Sequence, residues 1–312
     1  MEEHKYVWRF GYGSNIGLNT LRYKKNLNPT KYLVGTIEGW ELYFKPSFSK
    51  YVEPAFAGIR PKAGAILHGS AFYIPQNEAD DLDSQEAGYD VLESKFITYD
   101  ENVVMDTVGL YVPKGGGGNS SKEAIPSLRY LRLLRNGARE GGLAEDWIRH
   151  LDSFPHYVTP PEVRSQTKKW ISEFHNDDDK DNNKLWTAEE LAKYDGTPTK
   201  FPVVHTSVME YVLQIPSEGC WIFSSWKGHN VMRRNLLQFR GKILDTNDIR
   251  YDQPGYRPIP KFNDCTEEER EYLLQNLETL LHRGSNIVGR FKPYLDDQKD
   301  NNLLDGENTF AK

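Results

Sequence analysis

Two short stretches, far apart in the chain, hold the residues best suited to chemistry. The first is Phe10-Gly11-Tyr12-Gly13-Ser14-Asn15-Ile16. Two glycines let the main chain come close to a ligand and take torsions denied to other residues. Free amides at the start of a helical turn can then hold a carboxylate, a phosphate or a developing oxyanion. Taken alone, the same run also describes an ordinary tight turn. The second stretch is Leu82-Asp83-Ser84-Gln85-Glu86-Ala87-Gly88-Tyr89. Around it, Glu78, Asp80, Asp81 and Asp83 read as the solvated face of an acidic helix. Glu86 stands apart, because the small residues Ala87 and Gly88 allow close approach and Tyr89 opens an apolar strand.

The elements that must position these residues follow from the pattern of apolar runs. Tyr6 to Phe10 has strand composition, and Leu18, Leu21 and Tyr23 are spaced for one face of a short helix. Four short runs come next, Tyr32 to Gly35, Trp40 to Phe44, Phe56 to Ile59 and Ile66 to Tyr73, broken by Gly and Pro. Such punctuation predicts a small antiparallel sheet or barrel. Pro75 to Asp83 reads as a helical turn, and Tyr89 to Tyr99 with Val103 to Val112 as a hairpin around Asp100-Glu101-Asn102. The glycine run within Lys114 to Ser121 lacks the Gly-Lys-Ser/Thr ending of a nucleotide cradle and reads as a connector. Ile125, Leu128, Leu131, Leu134 and Leu143 to Leu151 then have helical spacing, closed by Pro155 and Pro160-Pro161.

His175 to Lys184 carries no apolar residue. It places an acidic/Asn linker at 175–183, between a first domain over 1–174 and a second over 184–295. In the second, Thr187-Ala188-Glu189-Glu190 is a capping-box pattern. Pro202 to Ile215 is strand-like, Trp226 to Phe239 and Glu267 to Arg283 are helical, and Ile287 to Tyr294 returns as a final strand or turn. The polar stretch 296–312 reads as a disordered tail.

Composition narrows the classes of function. A length of 312 residues suits two domains. The net charge of −6 is mild and the basic residues are scattered, which argues against a nucleic-acid partner. No apolar window is long enough for a membrane span, and the polar start is not a secretory signal. Cys220 and Cys265 are too few for a disulfide framework and wrong in spacing for a zinc site. Reduced cysteines point to a cytoplasmic protein.

Over residues 5–165 the chain resembles the gamma-glutamylcyclotransferase family. The resemblance rests on three motifs in order: Tyr12-Gly13-Ser14-Asn15 after the first strand, Leu82-Asp83-Ser84-Gln85-Glu86, and Pro126-Ser127-Leu128-Arg129-Tyr130 leading to Asn136 through Leu143. It implies an α+β fold with a small mixed β-barrel, no metal and no cofactor, and a small-molecule gamma-glutamyl substrate. Glu86 stands at the catalytic glutamate. Gly11, Tyr12, Gly13, Ser14 and Asn15 stand at the substrate-binding loop, and Tyr130 at a position that contacts substrate or belongs to the core. Ser-Asn in the loop favours the branch acting on gamma-glutamyl amino acids over the glutathione-specific one. Ala87 stands where glycine is frequent, and the segments Ser47 to Pro54 and Lys114 to Ser121 are long for the family. These departures are expected to reshape the pocket mouth.

The second domain resembles a cytochrome b5-like module of the membrane-associated progesterone receptor family. The carriers are Trp186 to Gly196, the strand through Val203 and Tyr211, Trp226-Lys227-Gly228-His229-Asn230, and Thr266-Glu267-Glu268-Glu269. The tyrosine that often ligates haem in that family has no counterpart in Glu218 to Ser225, so haem is not expected, although Cys220 or His229 has the chemistry to bind iron. Arg233, Arg234 and Arg240 read as a solvated helix face or an interaction edge. The function expected is therefore a cyclotransferase releasing 5-oxoproline, with homodimerisation left open. The alternatives are a non-catalytic binder of a gamma-glutamyl metabolite and a haem-linked redox protein.

Overall fold

The computed structural model describes residues 5–86, 88–115, 122–176, 184–197, 203–216, 226–241 and 261–298. It divides into two compact units, Met1–Tyr157 and Val158–Lys312.

In the first unit, β1 (Tyr6–Gly11), β2 (Lys31–Ser49), β3 (Glu53–Pro75), α1 (Gln76–Gln85), β4 (Tyr89–Thr98) and β5 (Val104–Pro113) precede α2 (Leu128–Gly141) and α3 (Glu145–Ser153). The strands close into a barrel in the order β1-β3-β2-β4-β5. A parallel pairing of Arg9 with Gly109 and Phe10 with Leu110 joins the ends. Four short strands were expected over 32–73, and two long ones occur instead. The interrupting glycines bend the strands rather than end them: Gly39 has φ 83° at a register shift between Glu38 and Trp40. Such bulges give a single strand the curvature that barrel closure needs. Phe10, Phe72 and Phe96 fill the interior, each fully buried.

The helix expected after the first loop is split. Ser14–Ile16 forms one 3-10 turn and Thr20–Lys24 a π-helical turn. The hairpin turn at 100–102 is as read, with Glu101 at φ 58°. α2 starts at Ser127, whose side chain accepts from the Tyr130 amide, and ends at left-handed Gly142.

The second unit runs α4 (Pro161–Asn176), β6 (Leu185–Trp186), α5 (Ala188–Leu191), β7 (Val204–Val208), β8 (Tyr211–Ile215), α6 (Met232–Phe239), α7 (Glu267–Leu281), β9 (Asn286–Phe291) and α8 (Lys292–Gln298). Among the described residues its strands lie in the order β6-β9-β8-β7. Thr187 and Thr266 both form capping boxes. α4 is a correction to the expected boundary, because Ile171 and Phe174 are buried in the same cluster as Trp186, Leu213 and Leu277. The unit therefore begins at Val158 rather than after the acidic stretch. From 177 to 183 that stretch lies outside the described residues, as do 299–312 of the expected tail and 116–121 of the glycine connector. The helix read over 226–239 starts only at Met232. Gly228 takes φ 75°, and the Asn230 side chain accepts the Met232 amide at 3.1 Å.

Candidate active site

Both chemically suited stretches meet in one cleft of the first unit. Gly11 to Asn15 line it together with Glu86 and Tyr130, and Ala57, Tyr89 and Tyr111 complete the wall. The cleft is small and opens to solvent.

The barrel builds the loop side. β1 delivers Gly11 opposite Ser70 of β3. The Ser70 hydroxyl and the Tyr32 hydroxyl both donate to the Ile16 carbonyl, at 3.0 and 2.6 Å, and pin the loop's exit. The Ile16 amide donates to Gly13 at 3.1 Å. The amides of Tyr12 to Asn15 thus precede the hydrogen-bonded turn, where N–H groups have no intrahelical acceptor. Glycine is required at the first position because a Cβ on Gly11 would lie 2.3 Å from the Asn15 carbonyl oxygen. Backbone there cannot yield cheaply. Gly11→Ala is expected to destabilise the protein by about 1–3 kcal/mol, read as an earlier urea midpoint.

Glu86 caps α1, which buries Ala79 and Leu82 against the barrel. Its amide donates to Leu82 at 3.1 Å and its carbonyl accepts from Tyr89 at 2.8 Å, so the chain reverses at once into β4. The side chain is 18% exposed. Asn15 Nδ2 and Lys25 Nζ each donate to Glu86 Oε1 at 3.1 Å. Asn15 Oδ1 is buried and has no partner among the described residues.

A layer of phenols backs the cleft. Tyr12 donates to the Tyr111 carbonyl at 2.7 Å, and the Tyr111 hydroxyl donates to Asp83 at 2.6 Å. Arg9 holds Asp83 through Nε and a terminal nitrogen, at 3.1 and 2.8 Å. Asp83 is therefore not on a solvated face; it anchors the end of α1 to the barrel. Tyr89 donates to the Ala57 carbonyl at 2.7 Å, and the Ala57 amide donates to the Tyr130 hydroxyl at 3.2 Å. Burial pushes the phenols of Tyr12, Tyr89, Tyr111 and Tyr130 above the ordinary tyrosine value, so all four remain neutral donors at physiological pH. Tyr130 turns out to be both things the sequence allowed, a core residue 5% exposed and part of the cleft wall.

All seven residues expected from the sequence lie on this cleft. Ala57, Tyr89, Tyr111 and Lys25 were not expected. Alternating tyrosines on β4 and β5 carry no signal that separates a cleft wall from a core. Lys45 is a further cation nearby, half-buried with Nζ 3.7 Å from the Tyr89 ring centroid. Among the described residues no carboxylate forms an ion pair with it.

In the second unit, Cys220 lies outside the described residues. His229 is half-buried, with burial lowering its pKa. Among the described residues no group of three His, Cys, Asp or Glu could hold a metal, and no helix is long and apolar enough to cross a membrane.

No family model matches the chain. Curated proteins do. It is 28% identical over 146 residues to gamma-glutamyl cyclotransferase gliK of Claviceps purpurea (strain 20.1), covering 43% of this chain and 64% of that one. It is 24% identical over 184 residues to gamma-glutamyl cyclotransferase aclK of Aspergillus oryzae (strain ATCC 42149 / RIB 40), covering 51% and 65%. Both of these relatives carry the name gamma-glutamyl cyclotransferase. The chain spans just under two thirds of their length. A solved structure of a gamma-glutamyl cyclotransferase superposes with a TM-score of 0.43 at 21% identity, over 53% of this chain and 99% of that one. The relatives bring no support for a cytochrome b5-like reading of the second unit.

Proposed function

We propose that the first unit is a gamma-glutamyl cyclotransferase, converting a gamma-glutamyl amino acid to 5-oxoproline and the free amine. The observation that carries this reading is the Glu86 carboxylate sharing one small cleft, and a hydrogen bond, with the Gly-Tyr-Gly-Ser-Asn loop. The substrate supplies its own nucleophile, the alpha-amine, so the chain has to supply a base, oxyanion donors and a folded pose. Glu86 and the unpartnered Asn15 Oδ1 offer acceptors for the alpha-ammonium. Glu86 takes a proton from it, and the freed lone pair forms the bond to the gamma-carbon. The carbonyl π pair moves to oxygen, where amides of the loop receive it, one such donor being worth about 3 kcal/mol of barrier.

Collapse of the tetrahedral intermediate breaks the bond to the leaving nitrogen. Two protons lost by the ring nitrogen are gained by the departing amine, with Glu86 as the carrier, and the carboxylate ends as it began. Confining the ring-closing geometry in the cleft lowers the barrier further. This chemistry calls on no metal or cofactor of its own. The decisive measurement is 5-oxoproline formation by purified protein from gamma-glutamyl-alanine. Calorimetric binding of that compound without turnover would overturn the enzyme reading.

Lys45 supports a leaving group that carries a carboxylate. It is a half-buried cation set on a tyrosine of the cleft wall, with no direct ion pair among the described residues and the field of Glu86 acting on it from nearby. Native protein is expected to prefer gamma-glutamyl-alanine to gamma-glutamyl-ethylamine. Lys45→Met should shrink that preference about tenfold, mainly through KM, as measured in competition assays. A homodimer, a cytoplasmic setting and a cytochrome b5-like second unit without haem complete the proposal.

A further inference from the structure

Lys25 is not among the residues that the sequence singles out, yet it touches the carboxylate on which the proposed chemistry turns. Its Nζ and Asn15 Nδ2 reach the same oxygen, Glu86 Oε1, each at 3.1 Å. Among the described residues none donates to Oε2. The Lys25 and Glu86 side chains are 14% and 18% exposed, so the pair is largely removed from water, where charge-assisted hydrogen bonds hold their geometry best. Two donors on one oxygen fix the plane of the carboxylate. They leave the second oxygen as its uncommitted acceptor.

The backbone that carries Lys25 is fixed on both sides. Its amide donates to the Thr20 carbonyl five residues back, at 3.1 Å, which closes the π-helical turn. Asn26 then takes the left-handed conformation at φ 54°, which asparagine tolerates better than most residues. Leu27 is 2% exposed, with its amide on the Leu21 carbonyl at 3.0 Å. An α-helical turn through the same residues would place Lys25 about 100° further round the axis. Single π turns of this kind recur at functional sites because they re-aim the side chain that follows.

We infer that Lys25 is a positioning residue: with Asn15 it holds Glu86 through Oε1, and this makes Oε2 the atom that takes the proton from the substrate ammonium and hands it to the leaving nitrogen. The inference rests on the cyclotransferase reading above. Lys25 keeps its three protons throughout and forms no bond to substrate.

The experiment compares native protein with Lys25→Met and Lys25→Arg on gamma-glutamyl-alanine, measuring 5-oxoproline and recording a thermal melt of each. Lys25→Met is expected to lose about 10²-fold in kcat, the cost of a catalytic group displaced by an ångström, with KM within about threefold of native. Lys25→Arg, which keeps a cationic donor, is expected to recover most of that loss. Unchanged kcat in Lys25→Met overturns the inference, and so do equal losses in both variants. A rise in KM alone overturns it as well, since Lys25 would then be a substrate-binding cation. Should Lys25→Met fail to fold, Lys25→Gln makes the same measurement. Native protein without turnover overturns the cyclotransferase reading itself, whereas active native protein matched by Lys25→Met overturns only the role of Lys25.

Discussion

Glu86→Gln is expected to lower kcat for gamma-glutamyl-alanine by about 10²–10⁴-fold, the range that a positioned general base supplies. Glutamine has nearly the same shape and keeps a carbonyl oxygen for Asn15 and Lys25, the two donors that meet Oε1. It has no oxygen basic enough to take a proton from an ammonium. The fold has little reason to change, because Glu86 caps α1 through its backbone amide and carbonyl rather than its side chain. KM is expected to rise as well, because the amide nitrogen stands where Oε2 accepts from the substrate ammonium, while the melting temperature moves by only a few degrees. Equal turnover by the variant would sink the assigned mechanism while leaving the cleft in place.

Arg164→Leu carries the largest expected effect on stability. Glu278 of α7 is buried with its side chain fully inaccessible, and its partners are the Thr159 hydroxyl at 2.9 Å and Arg164 Nε. Arg164 also grips Glu271 through both carboxylate oxygens, at 2.9 and 2.8 Å. Even with these partners, burial leaves Glu278 with a raised pKa. Removing the guanidinium strands a buried carboxylate, a loss of about 3–5 kcal/mol at neutral pH.

The pH dependence fixes the sign. A carboxylate whose folded pKa exceeds its unfolded value binds more protons in the native state, so it favours folding increasingly as pH falls through the folded pKa. Without Arg164 that folded pKa rises further. The deficit of Arg164→Leu relative to native should therefore shrink as pH is lowered from 7 toward the ordinary carboxylate range. Urea unfolding of both proteins at several pH values checks this, and a deficit that stays constant with pH would show that the loss comes from packing instead.

Much of the site was legible because its chemistry is local. Two glycines around Tyr12 and a carboxylate flanked by small residues mark backbone that must lie close to something, and the cleft brings both stretches together. The capping box at Thr187 was readable for the same reason, since four consecutive residues contain the whole interaction. What stayed hidden depends on distant partners or on departures from regular periodicity. Asp83 looked like one of several exposed acids until Arg9 and Tyr111 were brought to it from other strands. Lys25 follows a π turn, which breaks the 3.6-residue spacing used to assign helix faces. Gly39 looked like a strand end, but one residue at positive φ within a ladder marks a bulge that lets the strand continue. The segment that forms α4 was counted with the first domain because the acidic run looks like a boundary, and only the burial of Ile171 and Phe174 with the second unit shows otherwise.

The parallel seam between β1 and β5 bears on how the protein is made. Residues 9 and 10 pair with residues 109 and 110, and the Tyr12 hydroxyl rests on the carbonyl of Tyr111. A chain emerging from the ribosome N-terminus first must leave its first strand without this neighbour until the fifth has been synthesised. Contacts of such sequence separation are slow to form, because loop entropy is lost before they can offset it. The loop at Tyr12 follows β1 directly, so it gains its floor only at that last step. Acquisition of a competent cleft should therefore coincide with barrel closure, and catalytic activity during refolding would serve as a clock for the seam.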